Sequence, residues 1–186
     1  MSEPLHGMKI AIVATDGFEQ SELLEPKRAL ETAGAKTEVI APKAGEIRGW
    51  NMKDWGDKVK VDRTLSDAKV NDYDALVLPG GVMNPDHLRM DAKAVEFIRE
   101  FASTERPVAA ICHGPWTLVE AGVVKGRTFT SWPSLKTDLK NAGATWVDEE
   151  VVVSGHFISS RKPDDLPAFA KALIGKLEEN RKKEAA

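Results

Sequence analysis

Cysteine is nearly absent from this chain, since Cys112 is the only one in 186 residues. One cysteine cannot form an internal disulfide, so the fold does not depend on oxidation. It cannot build a structural zinc site either, and the four histidines do not show the spacing of metal ligands. We therefore expect neither a disulfide nor a bound metal.

Long apolar runs and an excess of one charge are absent as well. No stretch approaches the ~20 apolar residues of a membrane span, and no early segment has the apolar core of a signal peptide. The formal net charge is −3, with 26 basic and 29 acidic residues spread along the chain, whereas a nucleic-acid-binding face normally needs clustered basic residues. We expect a soluble, cytoplasmic protein without membrane or nucleic-acid partners.

Nucleotide-binding motifs are also missing. The chain has no G-x-x-x-x-G-K-[ST] phosphate loop and no dinucleotide-binding fingerprint. No cofactor is therefore expected.

The length and the 42% of hydrophobic residues suit one domain with a substantial core. Residues 1–7 show no periodicity and are expected to form a flexible leader. The Lys- and Glu-rich residues 181–186 are expected to form a flexible tail. This leaves a single domain over residues 8–180.

Buried strands alternate with helices along the chain, a pattern typical of an α/β fold with a mainly parallel sheet between helices. Pro26 lies inside the first helical pattern and is expected to kink that helix or to move its start. Gly155 and His156 lie where a tight turn would make a hairpin. The predicted strands cover residues 8–15, 37–41, 75–78, 108–111, 127–131, 151–154 and 157–159. The predicted helices cover about 20–33, 92–102, 115–121, 134–142 and 163–179.

Residues 42–66 depart from this alternation. Glycines are interspersed there with charges and with Trp50 and Trp55, which predicts an irregular excursion with one or two short antiparallel strands, residues 59–61 first among them. The two tryptophans either pack locally under a loop or form a partner surface, and the pattern slightly favours the partner surface.

The stretch 107–121 reads P-V-A-A-I-C-H-G-P-W-T-L-V-E-A. A short apolar run, a turn and a proline-initiated helix in so few residues predict a nucleophile elbow. Such an elbow lifts one side chain, here Cys112, out of the sheet and directs the N–H groups of the following helix at what it attacks.

Two further groups can serve a cysteine at this turn. The ring of His113 can fold back beside the sulfur, as an ion-pair partner or as a base. Gly81 follows another buried strand in the P-G-G segment, and its N–H together with that of His113 would form an oxyanion hole. A Cys–His pair usually needs a third group to orient the imidazole, and the residues alone do not identify it.

Four separated motifs resemble the PfpI branch of the ThiJ/PfpI superfamily, in order and in spacing. They are K-I-A-I-V-A-T-D-G-F-E at 9–19, D-A-L-V-L-P-G-G at 74–81, A-I-C-H-G-P at 110–115 and W-V-D-E-E-V-V-V-S-G at 146–155. The similarity extends from about residue 8 to 177. It implies a flavodoxin-like fold of the class I glutamine amidotransferase type.

The resemblance also implies two acidic site residues. Glu19 matches the family's carboxyl group beside the cysteine sulfur, where a protonated carboxyl would donate a hydrogen bond to that sulfur. Asp86 matches the acid that orients the histidine from a neighbouring subunit, although the segment is one residue longer here and the family commonly has Glu. The resemblance therefore implies a homodimer or a homohexamer in which Asp86 crosses the interface.

The resemblance implies a cysteine-dependent hydrolase without a cofactor, either an intracellular peptidase or a glyoxalase or deglycase acting on methylglyoxal and its adducts, with a role in stress response. An alternative is a non-enzymatic redox sensor or chaperone-like stress protein that uses oxidation of Cys112. A glutaminase subunit is less favoured, since the one late histidine, His156, lies in a predicted hairpin without the expected H-x-E.

Overall fold

The computed structural model describes residues 3–186. In chain order the strands are β1 (Lys9–Val13), β2 (Phe18–Glu19), β3 (Lys36–Ala41), β4 (Glu46–Asn51), β5 (Asp54–Lys60), β6 (Arg63–Thr64), β7 (Ala75–Leu78), β8 (Val108–Ile111), β9 (Thr128–Phe129), β10 (Thr145–Trp146), β11 (Val151–Ser154) and β12 (Phe157–Ser160). The helices are α1 (Gln20–Thr32), α2 (Met83–Leu88), α3 (Ala92–Ser103), α4 (Pro115–Ala121), α5 (Lys136–Asn141) and α6 (Leu166–Glu184).

Seven of these strands form the central sheet, in the order β11-β12-β8-β7-β1-β3-β6. All neighbours pair in parallel except β11 and β12, which form the predicted antiparallel hairpin. Helices cover both faces of the sheet, which confirms the predicted flavodoxin-like α/β fold.

A separate hydrophobic core lies on each face of the sheet, and β1 contributes side chains to both. Ala11 and Val13 pack with α3, α4 and α5, whereas Ile10 and Ile12 pack with α1 and α6. Successive side chains of a strand point to opposite faces, so a strand covered on both sides reads as a continuous apolar run.

The excursion after β3 is a hairpin whose pairing register shifts between Arg48 and Trp50. Strands β4 and β5 pair in antiparallel fashion, and β2 adds a third strand parallel to β4. The predicted strand at 59–61 overlaps the end of the longer β5. Trp50 and Trp55 face each other across the hairpin with ring centroids 5.5 Å apart, in an edge-to-face arrangement.

Residues near both ends of the described part of the chain contact the domain. Leu5 is fully buried in the core beside α1 and α6, and its N–H donates to the Ala33 carbonyl at 2.8 Å. Arg181 donates to the Pro4 carbonyl at 2.8 Å. The flexible leader over residues 1–7 and the flexible tail over 181–186 stay predictions, and residues 1 and 2 lie outside the described residues.

Two helices continue past positions where the sequence suggested a break or an end. Helix α1 begins at Gln20, as predicted, and continues through Pro26, so Pro26 does not move the start of the helix. Proline removes only the donor to the Glu22 carbonyl, and burial of Glu22, Leu23, Pro26 and Leu30 holds the helix on the sheet. Helix α6 runs to Glu184, beyond the predicted end at 179. Within residues 3–186, no helix combines the length and the apolar character that crossing a membrane requires.

Candidate active site

The predicted elbow is present at the carboxyl end of β8. Cys112 has a φ of 62°, in the left-handed region that side chains rarely adopt. Its N–H donates to the Ser160 carbonyl, and its carbonyl accepts from the Trp132 N–H, both at 3.0 Å. Bonding of both backbone groups maintains a conformation that costs roughly 1–3 kcal/mol.

The P-G-G loop after β7 lies directly against the elbow. A Cβ atom on Gly80 would come within 2.5 Å of Glu22 Oε1 and 2.7 Å of Cys112 Cβ, so only glycine fits there. Gly81 has a φ of 77°. Its N–H and that of His113 interact with the Cys112 sulfur, the two donors predicted for the oxyanion hole.

Asn84 holds this loop in place. Its Nδ2 donates to the carbonyls of Pro79 (2.9 Å) and Gly80 (3.1 Å), and its Oδ1 accepts from the Thr15 N–H at 2.8 Å. Asn84 is fully buried. It therefore ties the P-G-G loop to the end of β1, a role that sequence analysis missed.

Glu22 provides the carboxyl group beside the sulfur. Its side chain is fully buried and interacts with that of Cys112, and its Oε1 accepts from the Gly80 N–H at 3.1 Å. Oε2 has no hydrogen-bond partner among the described residues. An oxygen with no donor is the natural position for the proton of a neutral carboxyl group.

The assignment of this contact to Glu19 is therefore corrected. Glu19 is the N-cap of α1, is half-buried and lines the cavity, but the carboxyl group that interacts with the Cys112 side chain is that of Glu22, three residues later. The signal was available in the sequence, since Glu22 shares one helical face with Pro26 and Leu30, and that face is buried.

His113 folds back beside the sulfur as predicted. Its Nδ1 lies 3.2 Å from Cys112 Sγ, and its Nε2 lies 3.4 Å from Ser134 Oγ. The ring stacks on Trp132, with centroids 6.1 Å apart, and meets Trp116 edge-on at 5.0 Å. Ser134 is thus a group of the same chain that can orient the imidazole, and no local motif points to this role.

Burial shifts the acid–base properties of all three side chains. Burial first, and then the charge of Glu19, raises the pKa of Glu22 to about 8. Burial and the Glu22 carboxylate raise the pKa of the Cys112 thiol, although the Gly81 and His113 N–H groups oppose this. Burial lowers the pKa of His113. Near pH 7 the site therefore contains a carboxylic acid, a thiol and a neutral imidazole, a proton acceptor beside a proton donor.

Asp86 is not part of this constellation within one chain. It lies on α2, is exposed as is His87, and does not line the cavity above the sulfur. The expectation that Asp86 acts from a neighbouring subunit stays a prediction.

A cavity of about 260 Å³ opens above Cys112. Its polar groups come from Glu19, Glu22, Cys112 and His113, and its other walls from Trp50, Met52, Gly81, Val82, Trp132 and Pro163. Trp50 therefore belongs to the site, whereas Trp55 contacts Trp50 and is not among the lining residues. The arrangement can activate a thiol against a small electrophile and hold the resulting oxyanion.

The chain is similar to known proteins over almost its whole length. The family model described as DJ-1/PfpI family matches residues 8–176. General stress protein 18 of Bacillus subtilis is 42% identical over 174 residues, covering 92% of this chain and 99% of that protein. A deglycase of Pyrococcus horikoshii is 42% identical over 167 residues, covering 90% and 98%. YraA of Bacillus subtilis, named provisionally as a cysteine protease, is 44% identical over 170 residues, covering 91% and 98%.

Solved structures show the same likeness. A two-domain protein of Anabaena variabilis, with DJ-1/ThiJ/PfpI-like and ferritin-like domains, superposes with a TM-score of 0.86 at 34% identity. The match covers 91% of this chain and 48% of that one, so this chain spans about half of the two-domain protein. Drosophila melanogaster DJ-1beta superposes with a TM-score of 0.81 at 27% identity, covering 100% and 99%.

Proposed function

The chain belongs to the DJ-1/PfpI family, and we propose that it is a cofactor-free cysteine enzyme acting on small reactive carbonyl compounds, such as methylglyoxal and its adducts. One observation carries the proposal: the Cys112 sulfur lies 3.2 Å from a neutral His113 imidazole and beside the buried carboxylic acid of Glu22. A base, an acid and a nucleophile meet at one point.

The first step follows from these protonation states. As the Cys112 sulfur bonds to the aldehyde carbon, the thiol proton passes to His113 Nδ1, and the C=O π electrons move to oxygen. Glu22 donates its proton to that oxygen, which the N–H groups of Gly81 and His113 also stabilise. In this tautomer His113 Nε2 carries hydrogen and donates to Ser134 Oγ. The product is a neutral hemithioacetal.

For an α-oxoaldehyde the remaining steps need no external oxidant. The proton on the aldehyde carbon moves to the adjacent ketone carbon through an enediol, with the Glu22 carboxylate as base and the His113 imidazolium as acid. The aldehyde carbon loses two electrons and becomes a thioester, and the ketone carbon gains them and becomes an alcohol. Water then cleaves the thioester, releasing a 2-hydroxy acid and the Cys112 thiol.

The size of the cavity favours aldehydes over peptides as substrates. About 260 Å³ lies at the lower limit of sites for drug-sized ligands, roughly 300–1,000 Å³. A deglycase and a provisionally named cysteine protease among the relatives would share the first step, attack of a thiol on a carbonyl carbon. A reduced thiol fits the cytoplasm, where we propose that the enzyme acts, in a stress response as the name of the general stress protein suggests.

A redox sensor is the second candidate, favoured by the Glu22 carboxyl group beside the sulfur, which could donate a hydrogen bond to an oxidised cysteine. Burial and the Glu22 carboxylate raise the pKa of the Cys112 thiol, however, and oxidation proceeds through the thiolate. The same pKa suits a thiol activated by His113 at the moment of attack. The enzyme is therefore the better-supported function.

We also propose that the active unit is a homodimer or a homohexamer with Asp86 donated across the interface. Exposure of Asp86 on α2 supports this, since its carboxylate is accessible to a second copy.

The test is consumption of methylglyoxal and formation of lactate by the wild type, Cys112→Ser and Glu22→Gln, beside a peptidase assay on an unfolded protein. We expect lactate from the wild type, none from Cys112→Ser, a rate roughly 10²–10⁴-fold lower from Glu22→Gln, and no peptide cleavage. Measuring the intact mass after peroxide treatment tests the redox-sensor alternative, because oxidation of Cys112 adds oxygen to the protein. Absence of lactate, together with oxidation of Cys112 that depends on Glu22, would replace the enzyme by the sensor.

A further inference from the structure

The outer walls of the cavity above Cys112 are apolar and project into solvent. Met52 is 79% exposed, Val82 57% and Trp132 41%, and all three line the cavity together with Trp50. Large apolar side chains concentrated at the mouth of a polar catalytic centre indicate a surface for an apolar ligand.

Trp50 contributes only the face and edges of its ring. Its Nε1 already donates to the Met52 carbonyl at 3.1 Å, and Trp55 meets it edge-on, with centroids 5.5 Å apart. The indole is therefore fixed in orientation and has no free donor for a polar ligand. Such a ring offers a flat, rigid platform.

Met52 has an unusual backbone for its residue type. It follows β4 in the hairpin turn with a φ of 58°, a conformation that glycine adopts without strain and a long side chain does not. A methionine at this strained position is explained if its side chain contacts a ligand, since the flexible thioether can adapt its shape to an apolar group.

Positive charge is missing from the same walls. Among the described residues that line the cavity there is no Lys or Arg, and the acidic ones are Glu19 and Glu22. An anionic ligand would be desolvated beside these carboxyl groups without a counter-charge, which is unfavourable. The cavity thus selects against carboxylate- and phosphate-bearing aldehydes.

We propose that the preferred substrates are neutral α-oxoaldehydes with an aromatic or other flat apolar substituent, and that Trp50, Met52 and Trp132 select that substituent. This inference rests on the proposed function for the chemical step, but not for binding. The aldehyde carbon lies at the Cys112 sulfur, and the substituent lies between the Trp50 hairpin and Trp132.

The turnover test compares methylglyoxal, phenylglyoxal and the anionic 4-carboxyphenylglyoxal, all of which have the ketone that the proposed reaction needs. Initial rates are corrected with Cys112→Ser, in which only the slow reaction of arginine side chains with dicarbonyls remains. We expect kcat/KM about tenfold higher for phenylglyoxal than for methylglyoxal, and at least tenfold lower for 4-carboxyphenylglyoxal than for phenylglyoxal. Met52→Ala should reduce the phenylglyoxal preference several-fold, mainly through KM. Met90→Ala is the matched control, since Met90 is 75% exposed and does not line the cavity. Equal kcat/KM for the three aldehydes, or equal effects of the two methionine variants, would overturn the inference.

The binding test does not depend on turnover. Tryptophan fluorescence of Cys112→Ser is titrated with acetophenone and with benzoylformate, which carry the same ring but differ in charge. We expect saturable quenching by acetophenone, weakened several-fold by Met52→Ala, and at least tenfold weaker binding of benzoylformate. Binding without any turnover would contradict the proposed function alone. Turnover without this discrimination would contradict the inference alone, and failure of both assays would contradict both.

Discussion

The Nδ1 atom of His113 lies 3.2 Å from the sulfur of Cys112 although the two residues are adjacent in the chain. Adjacent side chains normally diverge, and here the φ of 62° at Cys112 turns the two towards each other. The strain of the elbow thus places a base beside a nucleophile without a second segment of chain. Two further requirements are met by other parts of the chain. Glu22 provides the acid, and Ser134 contacts the imidazole and can orient it.

Activity should depend on pH in a bell shape. The base must be neutral, so the rate is lost as the pH falls through the pKa of His113, which burial places below its ordinary 6.5. The acid must be protonated, so the rate is lost as the pH rises through the Glu22 pKa of about 8. The measurement is kcat/KM for methylglyoxal from pH 5 to pH 10.

Glu22→Gln identifies the alkaline limb. Glutamine cannot ionise, so we expect the alkaline limb to disappear and the remaining rate to fall by roughly 10²–10⁴-fold. Glu19→Gln is the control and should keep both limbs, with the alkaline limb moved to lower pH because the charge of Glu19 no longer raises the pKa of Glu22. Loss of the alkaline limb in Glu19→Gln instead would return the assignment to Glu19.

Ser134 should act as a positioning residue for His113. Removing its hydroxyl with Ser134→Ala takes away the partner of Nε2 at 3.4 Å and leaves the imidazole free to change tautomer. We expect kcat to fall about tenfold, with KM and the thermal midpoint little changed. The tautomer itself is read from the ¹⁵N shifts of His113. Unchanged shifts and an unchanged kcat would remove Ser134 from the site.

The sequence predicted those features that depend on local pattern. The continuous apolar run of 108–111 and the C-H-G-P turn after it led directly to β8, the elbow and α4, with the bounds that the structure shows for that strand and helix. Proline at the first helical position and glycine after the last one are local signals for the ends of a helix, so Pro115 and Gly122 can be interpreted without knowing the rest of the fold.

What could not be predicted depends on contacts between distant segments. Glu19 and Glu22 are three residues apart at the start of α1. Only Glu22 faces the sheet, and its carboxyl group therefore reaches the sulfur. Ser134 meets His113 across 21 positions of sequence, and Trp50 enters the cavity because β4 pairs with β2. The contacts of Ser134 and Trp50 arise from tertiary packing, for which the sequence around each residue gives no signal. The helical periodicity of Glu22, Pro26 and Leu30 indicates the buried face of α1, but not that this face meets Cys112.

Gly80→Ala should separate loss of activity from loss of fold. The new methyl group would lie 2.5 Å from Glu22 Oε1 and 2.7 Å from Cys112 Cβ, which forces the acid and the nucleophile apart. We expect kcat to fall at least tenfold, with a destabilisation of roughly 1–3 kcal/mol. Circular dichroism and methylglyoxal turnover measure the two effects.

Gly175→Ala is the matched control for Gly80→Ala. Gly175 lies inside α6, and a Cβ there meets nothing within 4 Å. Alanine should therefore leave turnover unchanged and stabilise the protein by roughly 0.5–1 kcal/mol. Full activity of Gly80→Ala would show that the close contact with Glu22 and Cys112 is not required.

Glu38 should make the stability of the protein sensitive to acid. Burial tends to raise its pKa, but hydrogen bonds from Lys9, Tyr73 and Arg63 outweigh burial and lower the pKa to about 2. A depressed folded-state pKa stabilises the fold above the unfolded value, about 4.5, and this stabilisation is lost as the pH falls towards 2.

The test is urea unfolding of the wild type and Glu38→Gln between pH 7 and pH 3. We expect the variant to lose roughly 2 kcal/mol at pH 7, because Lys9 and Arg63 lose their common partner. The difference should shrink as the pH falls below 4.5. A difference that stays constant with pH would mean that the contribution of Glu38 is steric and not ionic.

Inter-subunit donation of Asp86 can be tested by complementation. Asp86→Ala retains Cys112, and Cys112→Ser retains Asp86, so each homodimer should be inactive for a different reason. In a mixed dimer, the subunit that carries Cys112 receives Asp86 from its partner and is restored. With random exchange about half of the dimers are mixed and one of their two sites works, so activity should recover to roughly a quarter of wild type. Two results would contradict donation across the interface. One is an active Asp86→Ala homodimer, and the other is a mixture that stays inactive after mass measurements have verified subunit exchange. Either result would leave Ser134 as the partner of His113.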